Sequence, residues 1–332
     1  MFMESLNYDT VIIGSGPAGL TAAIYNARAD LKTLVIAGAE PGGQLVIATL
    51  VENWPGFAKG INGPELMMNM QEQVKNLGGE VKQGEVERIE KINEGFEVML
   101  AGEERIRTKS VIVATGAGAR WLGLPNEKEL IGKGVSGCAT CDGMFYKDKV
   151  VAMVGGGDTA AQEAVFMTKF AKKVYLIHRR DELRASVAEQ KKVLNNPKVE
   201  MVWNTEIKEL ITNYQIPSIP NNKQLPNSNN QILKAVKIKN NKTGEEKIME
   251  VGGLFVAIGR VPATKFLEGL VEMDENGFIK TRTNEEYPTM TNVPGIFAAG
   301  DCADSVYKQA IVAAGEGCKA ALEVERWLES RD

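Results

Sequence analysis

An internal repeat constrains the fold of this chain more than any other feature of its sequence. The repeat consists of a short apolar run, a glycine-rich loop and a helix-forming segment, and its two copies cover Asp9–Ala29 and Lys149–Phe170. The glycine loops begin at Gly14 and Gly155, and in each copy another apolar run follows at the same offset from that glycine. A buried parallel strand that leads through a glycine loop into a helix is typical of a βαβ unit. The sequence therefore predicts two such units.

The length and composition of the chain fit two α/β domains. The chain has 332 residues, of which 44% are apolar and 25% are charged. At roughly 150 residues per domain, this length gives about two globular domains. Parallel sheets are covered on both faces, so we predict two Rossmann-like, three-layer nucleotide-binding domains.

Charge and hydropathy exclude several classes of partner. Basic and acidic residues number 39 and 43, a formal net charge of −4, so no basic excess attracts nucleic acid. No apolar run reaches the roughly 18 residues that a membrane helix needs. Glu4 and Asp9 stand where a signal peptide would be basic. We expect a cytoplasmic protein that binds neither nucleic acid nor membrane.

Each glycine loop has the pattern of a dinucleotide-binding turn. The glycines permit a tight turn, a close approach of the backbone to a pyrophosphate and close packing of helix on strand, while the helix N-terminus holds the anion. Glycine turns before helices also occur for packing alone, but two copies at equal spacing favour two dinucleotide sites. The loop residues expected to contact the dinucleotides are Gly14, Ser15, Gly16, Pro17 and Ala18 in the first copy and Gly157, Asp158 and Thr159 in the second.

The residues that close the second strand of each unit distinguish between nucleotides. An acid at this position accepts the ribose hydroxyl of NAD, whereas cations favour the 2′-phosphate of NADPH. In the second unit these residues are His178, Arg179 and Arg180, with Arg184 one helical turn further on. The alternative is a solvated basic face on a surface helix, but the position in the repeat favours NADPH over NADH.

Three more apolar runs end at a glycine, in the segments 111–116, 254–259 and 296–301. Strand ends of this kind lie where open α/β sheets bind ligands. Asp301 closes the last segment and has the chemistry to accept a hydrogen bond from a polyol such as the ribityl chain of a flavin. The alternative for Asp301 is a structural role as the cap of a turn.

The chain has four cysteines, and Cys138 and Cys141 have the C-x-x-C spacing of dithiol redox motifs. The alternatives are a zinc site and inert buried thiols. A structural zinc site needs four ligands, whereas Cys302 and Cys318 form no second C-x-x-C pair. We therefore expect a redox pair and no metal. Asp142 follows directly and either shuttles a proton to a departing thiolate, which requires burial to raise its pKa, or caps a helix or turn.

Several segments match a known family together. They are Gly14–Leu20, Gly42–Leu45, Val51–Gly56, Cys138–Gly143, His178–Arg180, Gly300–Asp301, Gln309–Ile311 and Ala313–Gly315. On these segments the chain resembles the low-molecular-weight, bacterial-type thioredoxin reductases over nearly its whole length. The Cys-Ala-Thr-Cys-Asp-Gly sequence between two nucleotide-binding units is the highly specific part of the match. The departures include Met144, which precedes Phe145 where relatives often carry two aromatic residues, and Cys302, which follows the Gly-Asp pair.

The resemblance implies FAD on the first unit, NADPH on the second, a homodimer, and thioredoxin as the disulfide substrate. It also implies a discontinuous FAD-binding domain, residues 1–117 and 252–332, and an inserted NADPH-binding domain, residues 118–251, that carries the C-x-x-C pair. Electrons would pass from NADPH through FAD to the Cys138–Cys141 disulfide, and then by thiol exchange to thioredoxin. The alternatives are a related flavin reductase or oxidase serving another dithiol or a peroxiredoxin-linked partner, and a nucleotide sensor without turnover.

The resemblance further implies roles for single residues. Cys141 is the thiol nearer the flavin, Cys138 attacks the substrate disulfide, and Asp142 is the acid–base group. The other cofactor contacts that it implies are Gly43, Gln44, Leu45, Asn53, Ala114, Thr115, Gly116, Ile258, Gly259, Gly300, Asp301, Lys308, Gln309 and Ala310. The segment 214–231 is rich in proline and asparagine and has no apolar period, which predicts an exposed loop without chemistry.

Overall fold

The computed structural model describes residues 7–38, 41–48, 50–212, 232–281 and 285–331. The loop expected at 214–231 lies outside these residues. The strands are β1 (Tyr8–Ile13), β2 (Thr33–Ile36), β3 (Glu80–Lys82), β4 (Val86–Ile92), β5 (Gly95–Leu100), β6 (Arg105–Val113), β7 (Ala117–Ala119), β8 (Val135–Ser136), β9 (Val150–Gly155), β10 (Lys173–Ile177), β11 (Val199–Val202), β12 (Thr205–Thr212), β13 (Leu233–Asn240), β14 (Glu246–Glu250), β15 (Gly253–Ala257), β16 (Arg260–Pro262) and β17 (Ile296–Ala298). The helices are α1 (Pro17–Arg28), α2 (Gly63–Asn76), α3 (Ala139–Asp142), α4 (Asp158–Met167), α5 (Val187–Leu194) and α6 (Ala310–Glu329).

The chain divides into two compact units. Met1–Gly118 and Val261–Asp332 form the first unit, and Ala119–Arg260 form the second. The chain crosses between them within β7 and β16. The boundary expected at 251/252 differs from this division because β15 pairs with β9 and β8 in the sheet of the second unit.

A mainly parallel sheet forms the centre of the first unit. Its order is β3-β2-β1-β6-β5-β4, and β17 also pairs with β6. β1 runs parallel to β2 and β6, and β17 runs parallel to β6, whereas β4 and β5 are antiparallel additions. Val113 pairs with Ile13 on one side and Ala298 on the other. β1, β6 and β17 therefore end at one edge of the sheet, where the segments that follow them meet.

Alternate residues of β1 face different layers of the first unit. Ile12 packs in a core cluster with side chains of α1, α2 and α6, while Val11 and Ile13 belong to a second cluster that includes side chains of β4 and β5. All three residues are at most 4% exposed. Burial on both faces explains why the sequence of β1 is continuously apolar rather than alternating.

The second unit repeats this arrangement on a smaller scale. Its parallel sheet has the order β11-β10-β9-β15-β8, and an antiparallel sheet has the order β12-β13-β14. Val151 and Met153 of β9 pack against α4 on one face. Ala152 and Val154 pack on the other face against side chains of the antiparallel sheet. The predicted α/β class with two Rossmann-like three-layer units is confirmed.

Among the described helices, none combines the length and the apolar character that crossing a bilayer requires.

Candidate active site

The first glycine loop lies against the neighbouring strand end in the first unit. Gly14 follows β1 with φ +111°, and a Cβ atom there would overlap the carbonyl oxygen of Ala114, which follows β6. The left-handed backbone and this close approach both require glycine. At Gly16, in contrast, nothing lies within 4 Å of an added Cβ atom. The loop is therefore packed tightly at its first glycine and open at its second.

Side-chain hydrogen bonds fix the segment beside this loop. The Ser15 hydroxyl donates to the carbonyl oxygen of Ala37 at 3.0 Å and accepts from the backbone N–H of Gly42 at 2.8 Å. Gln44 Nε2 donates to the carbonyl oxygen of Ala117. Gly42 precedes a short 3₁₀ helix, Gly43–Ile47, that contains the expected contacts Gly43, Gln44 and Leu45. The structure therefore brings two expected groups, the first glycine loop and residues 43–45, to one place.

The start of α6 joins the same region. Asn53 Nδ2 donates to Gln309 Oε1 at 3.3 Å, so two expected contacts far apart in the sequence meet directly. The other expected contacts of this unit follow the ends of β6 and β17 or lead into α6, and they are Ala114, Thr115, Gly116, Gly300, Asp301, Lys308 and Ala310.

Glu316 of α6 is a residue at this edge that sequence reasoning missed. Its Oε2 accepts from the backbone N–H of Gly300 at 2.7 Å. Burial is the main cause that raises the pKa of Glu316, and the charges of Asp304 and Asp301 add to this effect. The bond fixes the turn that carries Asp301.

The first unit fits an anionic dinucleotide such as FAD. α1 begins with Gly16 as its N-cap, Pro17 in its first turn, no side-chain cap and no acidic residue in that turn. Its first N–H groups and the positive end of the helix dipole are therefore available to a pyrophosphate. Thr115 Oγ1 is buried and has no hydrogen-bond partner among the described residues. A polar ligand at this edge would satisfy that hydroxyl group.

The second glycine loop holds the arginine segment that follows β10. The carbonyl oxygen of Gly156 accepts from the backbone N–H groups of Arg184 and Ala185, at 2.7 and 3.1 Å. Asp158 Oδ1 accepts from the backbone N–H of Ser186 at 2.8 Å. These bonds fix residues 184–186 beside the start of α4, which has Gly157 as its N-cap and no side-chain cap.

His178 and the arginines have different environments. His178 is 5% exposed and lies against Gly156, where an added Cβ atom would overlap the imidazole ring. Burial lowers the pKa of His178, so the ring is neutral, and its Nε2 has no partner among the described residues. Arg179, Arg180 and Arg184 are exposed. The exposed guanidinium groups fit a 2′-phosphate, whereas His178 supports the loop from beneath.

Ile258 and Gly259 belong to the second unit. They follow β15, which pairs with β9 up to Gly155, and a Cβ atom at Gly155 would overlap the carbonyl oxygen of Ala257. These two expected contacts therefore lie at the sheet edge of the second glycine loop and not in the unit of the first.

Cys138 and Cys141 form a disulfide in the second unit. Cys138 is the N-cap of the short helix α3, and its Sγ accepts from the backbone N–H of Cys141 at 3.2 Å. Thr140 Oγ1 lies 3.3 Å from the same sulfur. Cys138 is half-buried and Cys141 is exposed. The pair is accessible within its unit, and one sulfur already has a hydrogen-bond donor.

Asp142 lies at the end of α3 in an environment that favours its protonated form. Burial is the largest influence and raises the pKa of Asp142, while a hydrogen bond from Ser136 acts in the opposite direction. Burial, and then the charge of Asp142, raise the pKa of Tyr146 to about 12. The structure therefore supplies the condition that the sequence interpretation of Asp142 required.

Ser136 is a second residue that sequence reasoning missed. Its hydroxyl donates to Asp142 Oδ2 at 2.6 Å and accepts from the backbone N–H of Cys138 at 3.1 Å. It lies in the two-residue strand β8, and the sequence around it has no pattern that marks a functional serine. Its partners become evident only in the folded unit.

The other two cysteines are unpaired. Cys302 is fully buried, and its thiol lies 3.4 Å from the carbonyl oxygens of Val113 and Ala299. Burial raises the pKa of Cys302 to about 11, so it is an unreactive thiol at neutral pH. Cys318 is half-buried in α6. No cluster of metal-ligating side chains occurs in the described ranges.

Comparison with known proteins gives a consistent result. Residues 8–317 match the sequence signature of the family described as "Pyridine nucleotide-disulphide oxidoreductase". The chain is 44% identical over 325 residues to a thioredoxin reductase of Mycolicibacterium smegmatis, covering 98% of each chain. It is 46% identical over 321 residues to one of Streptomyces coelicolor, covering 96% of this chain and 94% of the relative. Its structure is similar to that of a thioredoxin reductase from Giardia duodenalis, with a TM-score of 0.86 and 41% identity over 98% of this chain and 100% of that one.

Proposed function

The chain belongs to the pyridine nucleotide-disulphide oxidoreductase family, and we infer that it acts as an NADPH-dependent thioredoxin-disulfide reductase. It uses FAD and NADPH, as this family and its thioredoxin reductase relatives indicate. The observation that carries the inference is the accessible Cys138–Cys141 disulfide, which lies in the same unit as a glycine loop and a row of exposed arginines.

FAD is assigned to the first unit and NADPH to the second. The first assignment is supported by the open space at Gly16, the uncapped start of α1 and the unpaired Thr115 hydroxyl group. The exposed Arg179 and Arg180 support the second, because guanidinium groups bind phosphate in bidentate geometry. Bound FAD supplies two-electron redox chemistry between NADPH and the cysteine pair.

Cys138 is the attacking thiolate of the reduced pair. The backbone N–H of Cys141 that reaches its sulfur stabilises negative charge there. The Cys138 thiolate attacks one sulfur of the thioredoxin disulfide and releases the other as a thiolate. Cys141 then attacks Cys138 in the mixed disulfide, which restores the Cys138–Cys141 bond and frees the second thioredoxin thiol. One disulfide is reduced and one is formed.

Asp142 supplies the proton for this exchange. Burial raises the pKa of Asp142, so this carboxyl group keeps its proton to a higher pH than an exposed one does. Asp142, which follows Cys141 in the chain, protonates the thioredoxin thiolate that departs. Ser136 fixes the orientation of the Asp142 carboxyl group through its hydrogen bond to Oδ2.

Met144 and Phe145 form the apolar surface that we assign to thioredoxin docking. They follow Asp142 closely and are 49% and 45% exposed. Replacing Phe145 by alanine is expected to raise the KM for thioredoxin and to leave turnover of a small disulfide unchanged. Equal effects on both substrates would contradict a docking role.

A homodimer formed through the first unit is also part of the proposal. Large apolar side chains are exposed on its packed helices α1, α2 and α6, namely Tyr25, Met68, Ile311 and Leu322. Burial of such groups is the main driving force of association. Sedimentation equilibrium at low protein concentration tests the homodimer, and a monomer would contradict it.

A cytoplasmic location is also proposed and is supported by the two unpaired cysteines. Cell fractionation tests this location.

The activity is tested by NADPH oxidation in the presence of purified thioredoxin from the same organism. We expect rapid turnover with the protein as isolated and none with a Cys138→Ala/Cys141→Ala double variant. Turnover with another dithiol protein, or with a peroxiredoxin-linked partner, and none with thioredoxin would overturn the substrate assignment and leave the flavin disulfide chemistry in place.

A further inference from the structure

The segment that carries the arginines is also fixed by hydrogen bonds outside the glycine loop. The carbonyl oxygen of Arg180 accepts from the backbone N–H of Asn204 at 3.0 Å, and the carbonyl oxygen of Asn204 accepts from the backbone N–H of Asn241 at 2.6 Å. Asn241 Nδ2 also donates to the carbonyl oxygen of Arg179 at 3.4 Å. Asn241 lies in the turn between β13 and β14, so this turn, 241–244, borders the arginine segment.

The same turn places a lysine on the acid that follows the arginines. Lys242 Nζ lies 2.6 Å from Asp181 Oδ2, and both side chains are largely exposed, at 62% and 65%. The hydrogen bond and the charge of Lys242 lower the pKa of Asp181, so Asp181 carries a full negative charge at neutral pH. An unpaired carboxylate at this position, directly after Arg180 in the chain, would repel a phosphate group bound by the arginines.

A second carboxylate near the arginines is paired in a similar way. Glu206 Oε2 lies 2.9 Å from Lys208 Nζ, and the charge of Arg179 also acts on Glu206. Exposed ion pairs of this kind contribute little to the stability of a protein. Beside the proposed 2′-phosphate site, however, these charges change the local electrostatic field more than they change the stability of the protein.

We propose that Lys242 is a specificity-determining residue for NADPH, because it neutralises Asp181 beside the arginines that bind the 2′-phosphate. The proposal rests on the assignment of NADPH to the second unit. It explains how the segment tolerates an acid, the residue type that favours NADH, next to two arginines. Lys242 contributes its charge from a separate hairpin, which is why the local sequence around His178 does not reveal it.

A charge effect and a purely structural role of the ion pair predict different results when the Asp181 carboxylate is removed. If the pair only holds the segment in place, removing either side chain weakens nucleotide binding in the same direction. If Lys242 acts by neutralising Asp181, removing the lysine weakens binding of the 2′-phosphate, whereas removing the carboxylate does not. Removing both then restores nearly the original affinity.

The experiment uses the FAD-loaded protein and two probe nucleotides, adenosine 2′,5′-bisphosphate and adenosine 5′-monophosphate, with calorimetry as the readout. Lys242→Gln is expected to weaken binding of the bisphosphate roughly three- to tenfold and that of the monophosphate by less than about twofold. Asp181→Asn is expected to bind the bisphosphate at least as tightly as the unchanged protein. The Lys242→Gln/Asp181→Asn double variant and Lys242→Arg are expected to lie within about twofold of the unchanged protein.

Lys237→Gln is the matched control. Lys237 lies in the same hairpin and carries the same charge as Lys242. Its Nζ pairs with Glu246 Oε2 at 2.7 Å and not with Asp181. We expect no change in the affinity for either nucleotide. If Lys242→Gln and Asp181→Asn weaken both nucleotides alike, or if Lys242→Gln changes neither, the role of Lys242 is overturned. A protein that binds both nucleotides equally before any substitution would instead contradict the NADPH assignment itself.

Discussion

The hydroxyl group of Ser136 donates a 2.6 Å hydrogen bond to Oδ2 of Asp142. The hydroxyl oxygen of Ser136 accepts from the backbone N–H of Cys138 at 3.1 Å, so the Ser136 side chain connects the carboxyl group of Asp142 to a redox cysteine. Burial raises the pKa of Asp142 and the bond from Ser136 opposes that rise. The hydrogen bond from Ser136 therefore lowers the pH up to which Asp142 holds its proton.

Ser136→Ala is expected to shift the pH profile of thioredoxin reduction to higher pH. The bond from Ser136 stabilises the carboxylate, so its loss raises the pKa of Asp142 further, and the protonated acid then persists to higher pH. The measurement is kcat/KM for thioredoxin as a function of pH. Ser136→Thr keeps the hydroxyl group and is the control. A shift to lower pH would contradict this role of the hydrogen bond.

Asp142→Asn is expected to slow thiol exchange by roughly 10²–10⁴-fold, the usual contribution of a general acid–base group. Bleaching of the bound flavin by NADPH should change little, because this step does not need the proton of Asp142. Stopped-flow absorbance separates the two steps. If the variant exchanges thiols at the original rate, Asp142 is only the residue that ends α3.

Replacing Cys138 by serine should stop thioredoxin reduction while NADPH still bleaches the flavin. Cys141→Ser should abolish turnover equally, because both sulfurs are needed to form the disulfide again. The matched control is Cys302→Ala, since Cys302 is buried and its pKa is raised to about 11. We expect that variant to retain thioredoxin reduction. Retained turnover in both Cys138→Ser and Cys141→Ser would show that another residue carries the electrons.

Replacing Arg179 and Arg180 together by glutamine should raise the KM for NADPH and leave the KM for NADH little changed. A charge-assisted hydrogen bond contributes about 1.5–3 kcal/mol, so the loss of even one contact corresponds to a rise of roughly ten- to a hundredfold. Steady-state kinetics with both nucleotides measure the effect. Equal use of NADH and NADPH by the unchanged protein would contradict the assigned role of these arginines.

Local patterns explain what the sequence could predict. An apolar strand followed by glycines is marked within a short stretch of residues, and so is the pair Cys138 and Cys141. Both βαβ units were therefore predictable. The position of β15 could not be predicted, because its apolar run has the same pattern as the strand ends of the first unit. Only its pairing with β9 assigns it to the second unit.

The residues that sequence reasoning missed act through distant partners. Glu316 reaches Gly300 from α6, and Ser136 meets Asp142 across the start of α3. A polar side chain has no sequence signature when the fold alone determines its partner. His178 shows the reverse case. Its position in the sequence groups it with Arg179, but the fold buries it beneath Gly156.

The most direct test of the account is to count the thiols that NADPH produces. The FAD-loaded protein is mixed with NADPH under anaerobic conditions, quenched with N-ethylmaleimide, and analysed by peptide mass spectrometry. We expect both Cys138 and Cys141 to be labelled after NADPH treatment and neither to be labelled without NADPH, because the isolated protein contains their disulfide. FAD-depleted protein should stay unlabelled at both positions. If NADPH bleaches the flavin while Cys138 and Cys141 remain joined, the cysteine pair does not receive the electrons and the account is contradicted.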